Sequence, residues 1–262
     1  MIIIIAFTLI LITLIISYYN KYSNCDNYVY SKPEILDINI PIPEIPKKLI
    51  QTYINKDKVP QKVFDNIKKF APDYEYTFYS DEDCANFLTK NFDISIIETY
   101  NNLINTAHKA DLFRYCYLYL NGGVYLDIKI ELIKPLSEIF IRKECIYSVL
   151  SILRNTIFQG LIATPPKNKI FLELIEYAKT LPKNIHYHTF TRDFCNKIKD
   201  DTGKNLTPGI NTGKNMNYYL LKEKCTSNSK DCYDGLDNKG LCCFIYDKDI
   251  PVIKVRYSDY PW

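Results

Sequence analysis

The chain has 262 residues with 33 basic and 30 acidic side chains, a formal net charge of +3, and 24% charged residues mixed along its length. No basic field is there to hold a nucleic acid, and 47% hydrophobic with 14% aromatic residues excludes a disordered chain, because burial on that scale offsets the entropy of ordering. The surplus of Ile, Asn, Lys and Tyr is what AT-rich coding produces, so the 23 tyrosines by themselves say nothing about activity.

Met1–Tyr19 carries no charged side chain. About 18 residues at about 1.5 Å each give roughly 27 Å, close to the hydrocarbon thickness of a bilayer. No Lys or Arg precedes the run and no small-x-small cleavage site follows it, which argues against a cleaved signal peptide. Residues 1–19 are therefore expected to be a single transmembrane signal-anchor, with Tyr18 and Tyr19 at the interface. Residues 20–45 are polar, contain Pro33, Pro41 and Pro43, and suit a stem. Residues 46–262, about 217 in number, then form one catalytic-sized domain.

Within that domain Lys48–Tyr53 and Tyr74–Tyr79 read as strands, and Gln61–Phe70 and Glu82–Phe92 as helices. Ala107–Leu120 reads as a longer helix stopped by Asn121-Gly122-Gly123, and Val124–Lys129 as the strand after it. Ile146–Ile152 and Phe158–Ala163 are further strands; Lys169–Leu181 and Thr191–Asp200 are further helices. Alternation of this kind predicts an α/β domain with a mostly parallel sheet flanked by helices and ligands at the carboxyl ends of the strands.

Cysteines bear on the compartment. Cys84, Cys116, Cys145 and Cys195 sit alone in apolar surroundings and read as buried thiols. Cys225, Cys232, Cys242 and Cys243 crowd together in a spacing that fits no common zinc arrangement, which makes them disulfide candidates. A disulfide implies a lumenal or extracytoplasmic domain, and Asn205-Leu206-Thr207 is a glycosylation acceptor pattern that fits such a place. Lys21 and Lys32, on the C-terminal side of the anchor, pull the other way under the positive-inside rule.

The informative stretch is Thr106–Glu131. Ala110, Phe113, Tyr117 and Leu120 recur at helical spacing as a core face, yet Asp111 and Arg114 stand among them three residues apart. Two readings are open: a buried ion pair, or a carboxylate that accepts from sugar hydroxyls beside a guanidinium that holds an oxygen of the same ligand. Asp127 closes the following strand, where a carboxylate can hold a divalent cation or a ribose hydroxyl, or merely cap a turn. His108 precedes Asp111 by three residues and reads as a structural histidine; His186 and His188 read as loop residues.

IPKKLIQTY at 45–53, AHKADLFRYCYLYLNGGVYLDIKIE at 107–131, FQGLIATPPKNKIFLELI at 158–175 and Asn211-Thr212-Gly213 resemble, in this order and spacing, glycosyltransferase family 32. That is the DXD-containing group with the fungal initiating α-1,6-mannosyltransferases, and the glucosylating clostridial toxins are its distant relatives. The resemblance implies a GT-A fold, a UDP- or GDP-sugar donor, a glycan or glycoprotein acceptor, usually Mn²⁺ or Mg²⁺, and transfer with retention. It makes Gln51, Thr52 and Tyr53 the counterpart of the family's HQTW-like start, with Tyr53 in place of the Trp that stacks on the donor base. Asp111 and Arg114, beside Ala110, match the pair that grips the donor sugar and its phosphate side. Asp127, with Tyr125 before it, matches the first Asp of the DXD motif. Ser258 and Trp262 match loosely a C-terminal element that closes over the diphosphate.

The departure is Lys129, which stands where the second Asp of the motif belongs. An ammonium cannot ligate a cation, so three readings are open. A metal is held by Asp127 with Glu131 or Asp259; or Lys129 itself neutralises the diphosphate without a metal; or the chain is a degenerate nucleotide-sugar or glycan binder. Strand alternation would put Asp127, Lys129 and Glu131 on one face.

Overall fold

A computed structural model describes residues 43–226 and 242–257. The expected anchor, nearly all of the stem, Cys232, Ser258, Asp259 and Trp262 lie outside the described residues. Among the described residues no helix is long and apolar enough to cross a membrane.

The chain opens with β1 (Lys48–Thr52), α1 (Gln61–Phe70) and β2 (Glu75–Tyr79). Three helices follow, α2 (Asp81–Asn91), α3 (Ile94–Asn102) and α4 (Thr106–Asn121). Their starts are set by side chains that accept from orphan amides: Ser80 and Asp83 form a reciprocal capping box, Asp93 accepts from the Ser95 amide, and Asn105 accepts from Ala107 N at 2.9 Å. Two long crossovers, β1 to β2 and β2 to β3 (Gly123–Leu126), make β2, β1 and β3 parallel neighbours.

β4 (Ile130–Leu132), α5 (Leu136–Ile139), β5 (Ile146–Leu150), β6 (Ile157–Thr164), α6 (Lys169–Ala178) and α7 (Thr189–Thr202) come next. β7 (Gly209–Thr212), β8 (Asn217–Thr226), β9 (Cys242–Asp247) and β10 (Ile250–Val255) complete the described elements. The ten strands run β2-β1-β3-β6-β5-β8-β9-β10-β4, with β7 paired to β8. Only β1–β2, β1–β3 and β5–β8 are parallel; the other six pairings are antiparallel, so the expected mostly parallel sheet is corrected to a mixed one. Tight connections such as the two-residue turn between β9 and β10 permit only antiparallel pairing.

Side chains alternate across the sheet. Ile50 and Tyr125 join the core under α2, α3, α4, α6 and α7, while Leu49, Val124 and Leu126 join the opposite core with Ile67 of α1 and Leu136 and Ile139 of α5. α4 differs from its expected one-sided pattern: every residue from Asp111 to Leu118 is buried, because helices pack around it while its other side lies on the sheet. Tyr115 sits among Phe171, Phe190 and Phe194 with ring centroids 5.9–6.0 Å away. The end strand β4 is blocked by Asn66 of α1, whose amide exchanges two 2.9 Å hydrogen bonds with the Leu132 backbone.

Two corrections bear on the site. The strand expected over Val124–Lys129 stops at Leu126, and residues 127–129 turn, closed by Ile130 N donating to Asp127 O at 2.9 Å. α3, α5, β4 and the four strands after α7 had no counterpart among the sequence expectations. Because β3 and β4 sit at separate places in the strand order yet are joined by three residues, at most about 14 Å of chain, the path from β3 round to β4 curls back toward its own start.

Cys225 and Cys243 form a disulfide between β8 and β9, and Cys242 is also disulfide-bonded. Cys84, Cys116, Cys145 and Cys195 are free and buried. The turn into β3 needs glycine: Gly123 has φ +96°, and a Cβ there would lie 2.6 Å from Lys48 O of the neighbouring strand. Gly123→Ala is expected to lower stability by about 1–3 kcal/mol, read as a lower urea midpoint; an unchanged midpoint would contradict this account of the turn.

Candidate active site

α4 brings Asp111 and Arg114 to the end of β3, where the chain leaves the strand at Asp127. Arg114 sits at 5% exposure with its guanidinium 4.3 Å from the centre of the Tyr125 ring. Its Nη2 lies 3.2 Å from Asp111 Oδ1 and 3.5 Å from Asp127 Oδ1. Nη1 donates to Gln159 O at 2.6 Å and Nε to Ala110 O at 3.3 Å. The guanidinium is thus directed at protein acceptors, and it locks two carboxylates to one cation.

Asp127 is held from every side. Tyr125 Oη donates to its Oδ1 at 2.8 Å, and Thr52 Oγ1 lies 3.2 Å from the same phenol. Lys129 Nζ is 3.0 Å from Oδ2, and the Asp127 amide donates to Gly160 O at 2.8 Å. Lys129 reaches this place through the turn and not through strand alternation. Its ammonium rests between the Phe158 and Tyr257 rings, 5.2 and 5.3 Å from their centres. Gly160 is demanded by the same crowding, since a Cβ there would lie 2.4 Å from the Phe158 ring and 3.0 Å from Asp127 Oδ2.

The two carboxyls respond differently to one shared arginine. Burial raises Asp111, and Arg114 offsets only part of that rise. Burial would raise Asp127 as well, but Lys129, Arg114 and the Tyr125 hydroxyl outweigh it and hold the group at about 2. Lys129, in ion-pair contact with Asp127, makes most of the difference.

Other expected site residues are placed as follows. Gln51 is fully buried, donates to Asp127 O at 3.4 Å and accepts from Tyr76 Oη at 3.0 Å, so it braces the turn. Tyr53 packs with Ile128 of the same turn, Val59 and Val63. Glu131 is drawn away to the end of β10, where Lys254 Nζ lies 3.9 Å and Nε of Arg256, the residue after the strand, 2.7 Å from its carboxylate. His108 is buried, with Nε2 3.1 Å from Tyr187 O, in keeping with a structural role.

Three contributors escaped sequence reading. Gln159, polar within the apolar run 157–163 of β6, donates from Nε2 to Tyr115 Oη at 2.6 Å, and its Oε1 has no hydrogen-bond partner among the described residues. Its isolation in that strand was the available signal. Glu223 and Tyr257 are hydrogen-bonded to each other, and Glu223 also accepts from Ser151 Oγ at 3.0 Å and Ile152 N at 3.1 Å. Two open hollows, of about 370 and 480 Å³, lie elsewhere, between α1 and β4 and between β2 and α2.

DXD glycosyltransferases commonly use a divalent metal, and the donor set here does not fit one. Asp127 Oδ1 already faces a phenol and a guanidinium, Oδ2 faces an ammonium, and the second acid is Lys129. Glu131 is committed to Arg256, and no group of three or more His, Cys, Asp or Glu able to hold an ion occurs among the described residues.

Arg114→Ala would leave Asp111 and Asp127 without their shared cation, at a cost of about 3–5 kcal/mol. Asp111, already raised by burial, would then titrate further above its unfolded value, while Lys129 and Tyr125 still hold Asp127 low, so the stability tied to Asp111 is lost as pH rises from its unfolded toward its folded value. Urea melts should show a larger deficit at pH 7.5 than at pH 4.5; equal deficits would mean that packing, and not charge, is what Arg114 supplies.

The family model for a glycosyltransferase sugar-binding region containing a DXD motif matches residues 57–146, the span that holds Asp111, Arg114, Asp127 and Lys129. An uncharacterized glycosyltransferase of Acanthamoeba polyphaga mimivirus is 26% identical over 194 residues, 70% of this chain and 76% of that protein. An inositol phosphoceramide mannosyltransferase of Schizosaccharomyces pombe is 32% identical over 89 residues, 33% of this chain and 24% of its own. The initiation-specific alpha-1,6-mannosyltransferase of Candida albicans is 24% identical over 168 residues, 60% of this chain and 43% of that protein. The chain thus spans less than half the length of these two fungal relatives. Residues 57–146 are a DXD-type glycosyltransferase sugar-binding region, and the chain that carries it is a glycosyltransferase.

Proposed function

We propose that the chain takes a hexosyl group from a UDP- or GDP-sugar and transfers it, with retention of configuration, to a hydroxyl of a glycan acceptor. The observation that carries this reading is the pair of carboxylates, Asp111 and Asp127, joined through Arg114 at the carboxyl end of β3. Mannosyl transfer by the two fungal relatives makes a mannosyl nucleotide the first donor to try.

In this reading each residue has a task its geometry permits. Asp111 Oδ1 faces Arg114 while Oδ2 is left to accept from a donor-sugar hydroxyl. Tyr53, beside the Asp127 turn, offers a ring to the donor base. Arg114, Gln51, Thr52 and Tyr125 are positioning residues that fix the two carboxylates before substrate arrives. As the glycosidic bond opens, positive charge grows at the anomeric carbon, and these preorganised carboxylates stabilise it without a protein nucleophile. Ser258 and Trp262 are assigned to closure over the diphosphate. An anchor at residues 1–19 and a lumenal or extracytoplasmic domain belong to the same proposal, supported by the Cys225–Cys243 disulfide, a bond that persists in oxidising compartments.

The test is nucleotide release by the purified full chain from a panel of UDP- and GDP-sugars. One donor is expected to be consumed, and Asp111→Asn and Asp127→Asn should each lower turnover by about 10²–10³-fold while the fold is kept, as checked by circular dichroism. Either variant working at the wild-type rate removes that residue from the site.

A further inference from the structure

We infer that this transferase works without a divalent metal, Lys129 supplying the positive charge that the ion supplies in DXD enzymes. The inference rests on the transferase reading above and concerns the donor diphosphate at that same site.

Charge arithmetic comes first. An acid at position 129 together with a divalent ion would contribute −1 + 2 = +1, and an ammonium contributes +1 by itself. With Asp111, Asp127 and Arg114 around it, either arrangement sums to zero, so the substitution conserves the site's charge while removing the ion's ligand. Adding a divalent ion to the residues present would instead give an excess of +2 beside two cations that already occupy Asp127.

Geometry agrees. Lys129 is 22% exposed at its side chain, so its head can meet a ligand. An ammonium has three donors; Asp127 Oδ2 takes one at 3.0 Å, which leaves two for phosphate oxygens. Asp127 and the Phe158 and Tyr257 rings hold the head in place before substrate arrives, as a charge-stabilising group requires. The backbone is pinned as well, by Arg256 N donating to Lys129 O at 2.9 Å. In the transfer step the bond between the anomeric carbon and the diphosphate oxygen breaks, its electron pair leaving on the diphosphate beside Lys129. The bond from the acceptor oxygen to that carbon forms, and the acceptor proton passes to the departing diphosphate.

The experiment compares the purified full chain with Lys129→Ala, Lys129→Arg and Lys129→Asp in chelator and in Mn²⁺, reading nucleotide release from the donor panel and Mn²⁺ binding by electron paramagnetic resonance. Wild type is expected to turn over equally in both buffers and to bind no Mn²⁺. Lys129→Ala should lose about 10²–10³-fold in turnover, and Lys129→Arg should keep most of it. Lys129→Asp should be silent in chelator, bind Mn²⁺ and regain activity with it. Wild-type release that requires Mn²⁺, or a Lys129→Ala variant as active as wild type, overturns the inference and leaves the transferase reading standing. No release from any donor in either buffer overturns the transferase reading, and this inference with it.

Discussion

A single guanidinium shared by two buried carboxylates is the constraint on which the rest of the site depends. Asp111 and Asp127 come from different elements, one from a helix and one from the end of a strand; burial pushes both carboxyls up, and the cations beside them offset that only in part at Asp111 and fully at Asp127. Arg114 is placed to do so only because the helix around it is buried on all sides and its remaining donors find Ala110 O and Gln159 O. The aromatic packing of Tyr115, Phe171, Phe190 and Phe194 fixes the helix from which the charge is presented, and in the proposed reading serves the chemistry indirectly. A buried pair of this kind is weak evidence for stability, and in the proposed reading its part is to align the reacting groups.

The site lies at a seam between two kinds of sheet. β2, β1 and β3 are parallel, tied by helical crossovers, and present Asp127 at their carboxyl end. β8, β9 and β10 are antiparallel and bring Tyr257 and Glu223 toward it from the other side. Residues 127–129 belong to neither part. A turn whose backbone is bonded to Gln51 of β1, Gly160 of β6 and Arg256 can aim two side chains of opposite charge at one point, which a continuing strand would keep two residues apart on the same face.

What could be read from the sequence follows from where the information is local. The helix Gln61–Phe70 was legible to the residue, because Val63 and Ile67 repeat at four and Pro60 and Ala71 bound it. Asp111, Arg114 and Asp127 stood out because charges within apolar periodic segments require an account. The mixed sheet was not legible: the strand pattern of β8 to β10 is the same whether its neighbours run with it or against it, and pairing direction depends on connections across the whole fold. Nor was the place of Lys129 legible, since the end of β3 at Leu126 is decided by the turn bonded to Gly160 and Ile130 and not by any break in local propensity. Glu223 and Tyr257 meet across 34 residues, and nothing near either announces the other.

The join between β4 and β10 gives the site an order of assembly. Arg256 and Glu131 are 125 positions apart, and the turn that carries Lys129 is bonded to Arg256, the residue that follows β10. Contacts so distant in sequence close late, because the loop between them must be ordered before they form. A chain emerging from the ribosome can thus settle the helices and the parallel half, with Asp111 and Arg114 already neighbours, long before β10 arrives to fix the lysine. On the role proposed for Lys129, competence for transfer waits on that join, and a chain stopped short of it holds its carboxylates with half of their counter-charge unset.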